Sequence, residues 1–306
     1  MTTDVSVVIP MFNEAASLPS LFAALAAQTA LPREVICVDS GSTDGSDAIV
    51  CAIITANDTP FEVRLITNPG GMPGGNRNVG IDAARGEWIA FLDGGVLPEP
   101  TWLERLVACA STRRLTAVYG RCKFVAEPAF ERAVCAVSYG VDAVHPVLPA
   151  SMFHRSVFKD VGLFRPELRA AEDLIWLREY ERKRGVRPVC DDALIIYDRF
   201  PHDFPTLIHK WRTYEQNRLA AGIRWRGRFI IPFAVVGLLA AMALWPRVIL
   251  PAVLVAVIVR GVLEPIRRSV RWDWWRGVPT AAVLAIGVCF VRDVTKVSVQ
   301  LIGVAR

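Results

Sequence analysis

Polar residues set directly behind apolar runs are the first chemical signal in this sequence. Asn13 follows the run at 5–9 and its closing Pro10, Asp39 follows 34–38, and Asp93 follows 87–92. Short, continuously apolar runs read as buried parallel strands. In parallel sheets, ligands bind at the carboxyl ends of the strands, where these three residues fall. A second signal is the pair Glu172-Asp173 at the head of a helical stretch, 170–185. A carboxylate held there can take a proton from an attacking hydroxyl, although a helix N-terminus also favours acids through its dipole. The third is NPGGMPGGNRN, four glycines followed by Arg77. Glycine lets backbone come close to a ligand, and a guanidinium suits a diphosphate. A solvated surface loop would have the same composition. No Lys-Ser/Thr follows and no G-x-G-x-x-G occurs, so neither a Walker loop nor a dinucleotide fingerprint is present.

The elements that must position these residues alternate. Strands are expected near 5–9, 34–38, 62–67 and 87–92, with helices near 15–28, 45–56 and 78–84 between them. That order implies a mostly parallel sheet with right-handed crossovers. Further on, 101–111 and 170–185 read as helices and 116–126 and 189–198 as strands. The turn-forming stretch Asp39-Ser40-Gly41 and the pair Asp44-Gly45 also fit a simpler role, a turn and a cap for the next helix.

Composition narrows the function classes. The chain has 306 residues and a formal charge of +5, with basic residues gathered at 210–228 and 267–276 beside apolar runs. Anionic headgroups suit such clusters; no basic stripe with interleaved aromatics precedes residue 200, which argues against nucleic acid as a partner. Seven cysteines, an odd number without a C-x-x-C pair, suit a reducing compartment rather than a disulfide framework or a zinc site. The opening run VSVVIP is too brief for a signal peptide.

Four blocks in this order, VSVVIPMFNEAASL, VICVDSGSTDGS, NRNVGIDAARGEWIAFLDGG with PEPTWLE, and VGLFRPELRAAEDLIWL, resemble family 2 glycosyltransferases of the GT-A fold over roughly residues 4–220. The resemblance implies an inverting transfer from a nucleotide diphosphate sugar, a UDP- or GDP-sugar. It places Pro10, Phe12, Asn13, Glu14, Asp39, Gly41 and Ser42 around the nucleotide, Arg77 on the diphosphate, and Asp93 and Gly94 on the donor. Asp173 is then the catalytic base, with Glu172 orienting or tuning it. The family carries Asp-x-Asp where this chain has Asp93-Gly94-Gly95, so Mg2+ or Mn2+ is expected at Asp93 with one carboxylate missing. A hard cation that keeps waters and phosphate oxygens manages with one protein carboxylate, more weakly held. His202 lies near the family's later histidine ligand but does not align with it. The segment HKWRTYEQN supplies the residue types of a basic-aromatic motif near the acceptor; a headgroup-level position suits it better.

The C-terminal third reads as membrane-embedded. Residues 229–245 and 248–266 are each long enough to cross a ~30 Å hydrocarbon core, joined at Pro246-Arg247. A shorter run, 278–291, is either a thin third span or an interfacial helix continuing to Val304. Basic outer flanks place the catalytic domain in the cytosol by the positive-inside rule. Arg260 and Glu264, four apart, are expected to pair on one helix face, either snorkelling at the inner leaflet or with Arg260 free to hold a polyprenyl phosphate.

The expected protein is thus an α/β GT-A domain, Rossmann-like with flanking helices, over 1–225. A membrane helical hairpin or three-helix tail follows over 226–306. The expected location is the inner or plasma membrane, multi-pass, with a lipid-linked or membrane-associated acceptor in surface polysaccharide or glycolipid synthesis. A polyprenyl-phosphate sugar synthase is the nearest alternative; a non-catalytic, transferase-like assembly partner is the alternative of another class. Too few spans are present to suggest a secreting processive synthase.

Overall fold

The computed structural model describes residues 2–222 and 244–304. Its elements, in chain order, are β1 (Val5–Met11), α1 (Leu18–Ala26), β2 (Glu34–Asp39), α2 (Ser46–Ala56), β3 (Glu62–Thr67), α3 (Pro73–Ala83) and β4 (Trp88–Phe91). Next come β5 (Leu97–Pro98), α4 (Trp102–Arg113), β6 (Ala117–Phe124), α5 (Ala129–Ser138), β7 (Val144–Pro146), β8 (Met152–His154), α6 (Arg155–Val161) and α7 (Glu172–Arg184). The last are β9 (Val189–Tyr197), α8 (Phe204–Ala220), α9 (Pro246–Arg268) and α10 (Thr280–Val304). Two compact units result: Met1–Lys123 with Val144–Tyr197, and Phe124–Ala143 with Asp198–Arg306. The expected boundary near 225 therefore compares with one near 198, and the second unit also takes in the segment that carries α5.

The first unit is built on one sheet of order β3-β2-β1-β4-β8-β6-β9-β5, with β7 paired to β6. Strands β3, β2, β1 and β4 are parallel, as the alternation of strands and helices requires, while β8, β6, β7 and β5 pair antiparallel. The sheet is mixed rather than mostly parallel: β8, β7 and β5 pair antiparallel although helices α4, α6 and α7 occur in that half of the chain. Pro10 lies inside β1 rather than ending it. It pairs with Val38 of β2, and β4 accompanies β1 only as far as Val8, so the missing N–H falls beyond the two-sided part of the ladder.

Helix α3 begins at Pro73, a full turn before the expected start. Proline suits a first helical turn, where its absent N–H is no loss, and Gly74 follows where a Cβ would lie 2.6 Å from Arg165 O. A Cβ at Gly80 would lie 2.2 Å from Val8 Cγ1, so α3 sits tightly against the Val8 side chain of β1. Beneath the sheet an aromatic core joins Phe91, Tyr119, Phe153, Phe158, Phe164 and Trp176, all nearly or fully buried. Phe164 meets Phe91 edge-on at 5.6 Å and stacks on Trp176 at 5.0 Å. Such ring contacts fix the segment leading into α7 beyond what apolar area alone would do.

In the second unit α10 packs on α5, α8 and α9. Its buried residues Ala281, Ala285, Val288, Arg292, Thr295 and Val299 recur at three- and four-residue intervals, one continuous stripe. The run expected as a short span at 278–291 is therefore part of one 25-residue helix. Among the described residues one helix, Arg247–Arg268, is long and apolar enough to cross a membrane, with mean hydropathy 2.1. The expected span at 229–245 lies outside the described residues except for its last two. Arg260 and Glu264 do not pair with each other: Arg260 pairs with Asp293 of α10, and Glu264 with Arg268 at 2.7 Å and Arg267 at 3.2 Å. An acid on the facing helix outcompetes the one a turn away.

Candidate active site

Three adjacent strands, β2, β1 and β4, end side by side, and their tips interlock. Asn13 N donates to Ser42 Oγ at 2.9 Å, and Asn13 Oδ1 accepts from Thr43 N at 2.9 Å. Asn13 holds a left-handed φ of 57°, a conformation asparagine tolerates better than most residues. Asp39, 3% exposed, accepts from Gly41 N and Ser42 N, each at 3.0 Å, and from the Ser42 hydroxyl at 2.5 Å. Asp44 accepts from Ser46 N, the Ser46 hydroxyl and Ala15 N. The simple turn-and-cap reading thus describes what both acids do in this state. The β4 tip closes on the β1 tip: a Cβ at Gly94 would lie 2.6 Å from Glu14 Cγ, so only glycine lets the two loops meet. Phe12 stays 48% exposed beside them, an apolar surface at the mouth of the cleft, and Pro10 is half-buried.

The charged centre lies beside this cradle. Arg77, 4% exposed, donates through Nη1 to Glu172 at 2.6 Å and through Nη2 to Asp93 at 2.8 Å. Its Nε is buried without a hydrogen-bond partner among the described residues, and its guanidinium carbon stands 5.8 Å from the Phe164 ring centre. Burial alone would weaken the hold of Arg77 on its proton, but the charges of Asp93 and Glu172 overcome it and keep the guanidinium firmly charged. The sequence places Arg77 at the end of a glycine-rich loop, and the resemblance places it on the diphosphate. It is instead a helical residue whose Nη groups are committed to two carboxylates.

Two asparagines missed in the sequence hold that helix in place. Asn76 Nδ2 donates to Ser40 Oγ at 2.7 Å and to Val38 O at 3.2 Å, tying α3 to the β2 tip. Asn78 donates to Phe164 O at 2.8 Å and accepts from Phe164 N at 2.9 Å, tying it to the segment before α7. Three polar residues in a row on a glycine-rich helix were the available signal.

Glu172 and Asp173 open α7 behind Ala171, which holds a left-handed φ of 66°. Strain of this kind on a non-glycine residue persists only where the surroundings enforce it. Burial pushes the Glu172 carboxyl above the ordinary carboxylate range against the pull of Arg77. Burial likewise pushes Asp173 up, with Arg77 opposing and the charge of Asp93 reinforcing. Arg77, Asp93, Glu172 and Asp173 therefore form one electrostatic group, which brings the expected donor acid and the expected base together. Nearby, burial and Asp93 push the Cys122 thiol up to about 12, so it is no nucleophile at neutral pH. Among the described residues no disulfide joins any of the seven cysteines.

A protein-built cation site does not fit these residues. Asp93 gives Oδ1 to Arg77, Gly95 stands where a second carboxylate would be, and no group of three His, Cys, Asp or Glu among the described residues could hold a metal.

Residues 6–135 match the family described as Glycosyl transferase family 2. Glycosyltransferase AglE of Haloferax volcanii is 33% identical over 163 residues, 52% of this chain and 51% of that protein. The succinoglycan biosynthesis protein ExoO of Rhizobium meliloti is 39% identical over 107 residues, 34% of this chain and 29% of that protein. The chain thus spans about half or less of the length of these relatives. Among solved structures, the mannosyltransferase PcManGT from Pyrobaculum calidifontis, in complex with GDP-Man and Mn2+, superposes with a TM-score of 0.59 at 18% identity. That likeness covers 95% of this chain and 88% of the other. It shows a shared fold, an α/β GT-A-like mixed sheet with flanking helices.

Proposed function

We propose that this chain is a glycosyltransferase that moves a sugar, with inversion, from a UDP- or GDP-sugar to a membrane-associated, lipid-linked acceptor in polysaccharide or glycolipid synthesis. The observation that carries the reading is the pairing of Arg77 with both Asp93 and Glu172, the neighbour of Asp173, beside the interlocked tips of three parallel strands, in a chain whose residues 6–135 match a glycosyltransferase family. The relatives' names support polysaccharide synthesis, and the structural neighbour's bound GDP-Man supports a nucleotide-sugar partner.

In this reading the nucleotide lies across the β1 and β2 tips, with Phe12 as the apolar face for its base and the Asn13–Ser42–Asp39 network presenting hydrogen-bonding groups. Asp173 takes the proton of the acceptor hydroxyl as its oxygen attacks the anomeric carbon, and the nucleoside diphosphate leaves from the opposite face. Burial makes the carboxylate a stronger base than a solvated one, and a raised basicity suits proton removal near neutral pH. Glu172, held by Arg77, fixes the helix start from which Asp173 projects. Arg77 supplies fixed positive charge beside the leaving group without leaving its two carboxylates. A membrane attachment, multi-pass at the inner or plasma membrane with the catalytic unit on the cytosolic side, is supported by the apolar helix Arg247–Arg268 and its basic C-terminal turn. The test is to incubate membranes holding the chain with labelled UDP- and GDP-sugars and to separate the lipid products. Label in an extractable lipid is expected; no turnover across a broad donor panel would end the proposal.

A further inference from the structure

Helices α9 and α10 enclose a groove of about 380 Å3 whose walls include Val257, Phe290, Val294, Val297 and Leu301 and whose polar residues include Arg260 and Asp293. The two helices touch on one side of Arg260, where a Cβ at Gly261 would lie 2.6 Å from Ile286 Cα. From that crossing the lining residues on α10 run only the other way, toward Leu301. The groove is thus apolar along α10, with a cation near the helix crossing.

The charges there are not balanced. Asp293 is bound by Arg260 and also by Arg292 at 3.1 Å. Glu264 is shared among Arg267, Arg268 and Arg292. Lys296 lies within electrostatic range of Arg292 and Asp293. With Glu215 and Arg218, which also act on Lys296, three acids face six cations. Asp293 engages Nε and Nη2 of Arg260, which leaves Nη1 and its two hydrogens unspent among the described residues. An ionisable cluster on apolar helices is costly to keep and marks a binding or transport role.

We infer that this groove binds a single-chain isoprenyl phosphate, with the phosphate on Arg260 Nη1 and the hydrocarbon running toward Leu301. The excess of positive charge selects an anion, and a guanidinium matches phosphate oxygens better than an ammonium does. A single apolar groove with a cation at one end suits one hydrocarbon chain carrying an anionic head. The inference rests on the lipid-linked acceptor proposed above and assigns that lipid a site.

The test uses the full chain in detergent and a photoactivatable isoprenyl phosphate, with labelled peptides mapped by mass spectrometry. Label is expected within 290–301, competed by unlabelled isoprenyl phosphate at least about tenfold better than by the matching isoprenol, which lacks the charge. Arg260→Gln should weaken labelling about tenfold, Asp293→Asn should leave it intact or strengthen it, and Val294→Trp should block it by filling the slot. Label elsewhere, equal competition by isoprenol or phosphatidylglycerol, or indifference to both Arg260→Gln and Val294→Trp would overturn the site. Thermal shifts with UDP- and GDP-sugars on the same preparations keep the two readings apart. Donor binding without labelling removes this site alone, and labelling without any donor binding removes the transferase reading alone.

Discussion

Arg77 and Glu172 lie 95 residues apart in sequence and 2.6 Å apart in space, and their pairing is almost wholly shielded from water. The helix that carries the candidate base is therefore anchored by a residue from the β3–β4 crossover. That contact determines how the site should respond to substitution.

Asp173→Asn should lower turnover by about 10²–10⁴-fold, the usual range for losing a general base. Donor affinity should stay within about threefold, since the amide keeps the shape of the side chain. Calorimetry with the donor beside a transfer assay checks both. Transfer surviving at near the original rate would remove Asp173 from its role.

Arg77→Met should cost about 3–5 kcal/mol of stability, because it strands Glu172 as a buried charge. Arg77→Lys should recover little, for a single ammonium cannot span two carboxylates as the guanidinium fork does. Arg77→Met combined with Glu172→Gln should be milder than Arg77→Met alone. Urea unfolding of the set reads the order directly.

The raised pKa values of Glu172 and Asp173 carry a definite sign. An acid whose folded pKa lies above its unfolded value favours the folded state when protonated. That contribution is full below the ordinary values of 4.5 and 3.8 and is lost as pH rises through the higher folded values. Asp173→Asn should therefore gain stability relative to the parent as pH rises from about 4 to 7. The acid limb of kcat/KM should also lie above 3.8, because the base must be ionised to act. Unfolding and rate measurements across that pH range test both halves.

Two neighbouring glycines of α3 should behave oppositely. A Cβ at Gly74 would lie 2.6 Å from Arg165 O and 3.1 Å from Glu172 Cγ, whereas one at Gly75 finds nothing closer than 3.5 Å. Gly74→Ala should cost about 1–3 kcal/mol by overpacking and lower kcat by shifting Glu172. Gly75→Ala should be neutral or gain about 0.5–1 kcal/mol from helix propensity. Thermal melts with single-turnover rates distinguish them.

Donor affinity should differ by less than about threefold between Mn2+ and EDTA, since a lone carboxylate already paired to Arg77 adds little to a hard cation's ligand set. Titrating UDP- and GDP-sugars in both buffers checks this. A tenfold or larger dependence would show that Asp93 leaves Arg77 when the donor binds.

The parallel half of the sheet was legible because β1, β2 and β4 are short apolar runs that end in turn-forming or polar residues. The pairing of Arg77 with Glu172 was not legible, since a long-range contact leaves no local period. The start of α3 was misplaced because Gly74 and Gly75 read as loop, whereas close packing on Arg165, Glu172 and Pro166 is what admits them to a helix. Helix α5 went unseen although Ala133, Val134, Cys135, Ala136 and Val137 are all buried in it, for its place among α9 and α10 becomes evident only once those helices exist.

Asn78 meets Phe164 as one strand residue meets another, giving a hydrogen and taking one back. Such a clasp resists both sliding and rotation, so α3 and the approach to α7 must travel as one piece if the cleft opens. A change that reshapes the segment 163–172 would then require a matching change at 77–78, and variants altered at one place without the other should lose the fit between α3 and α7.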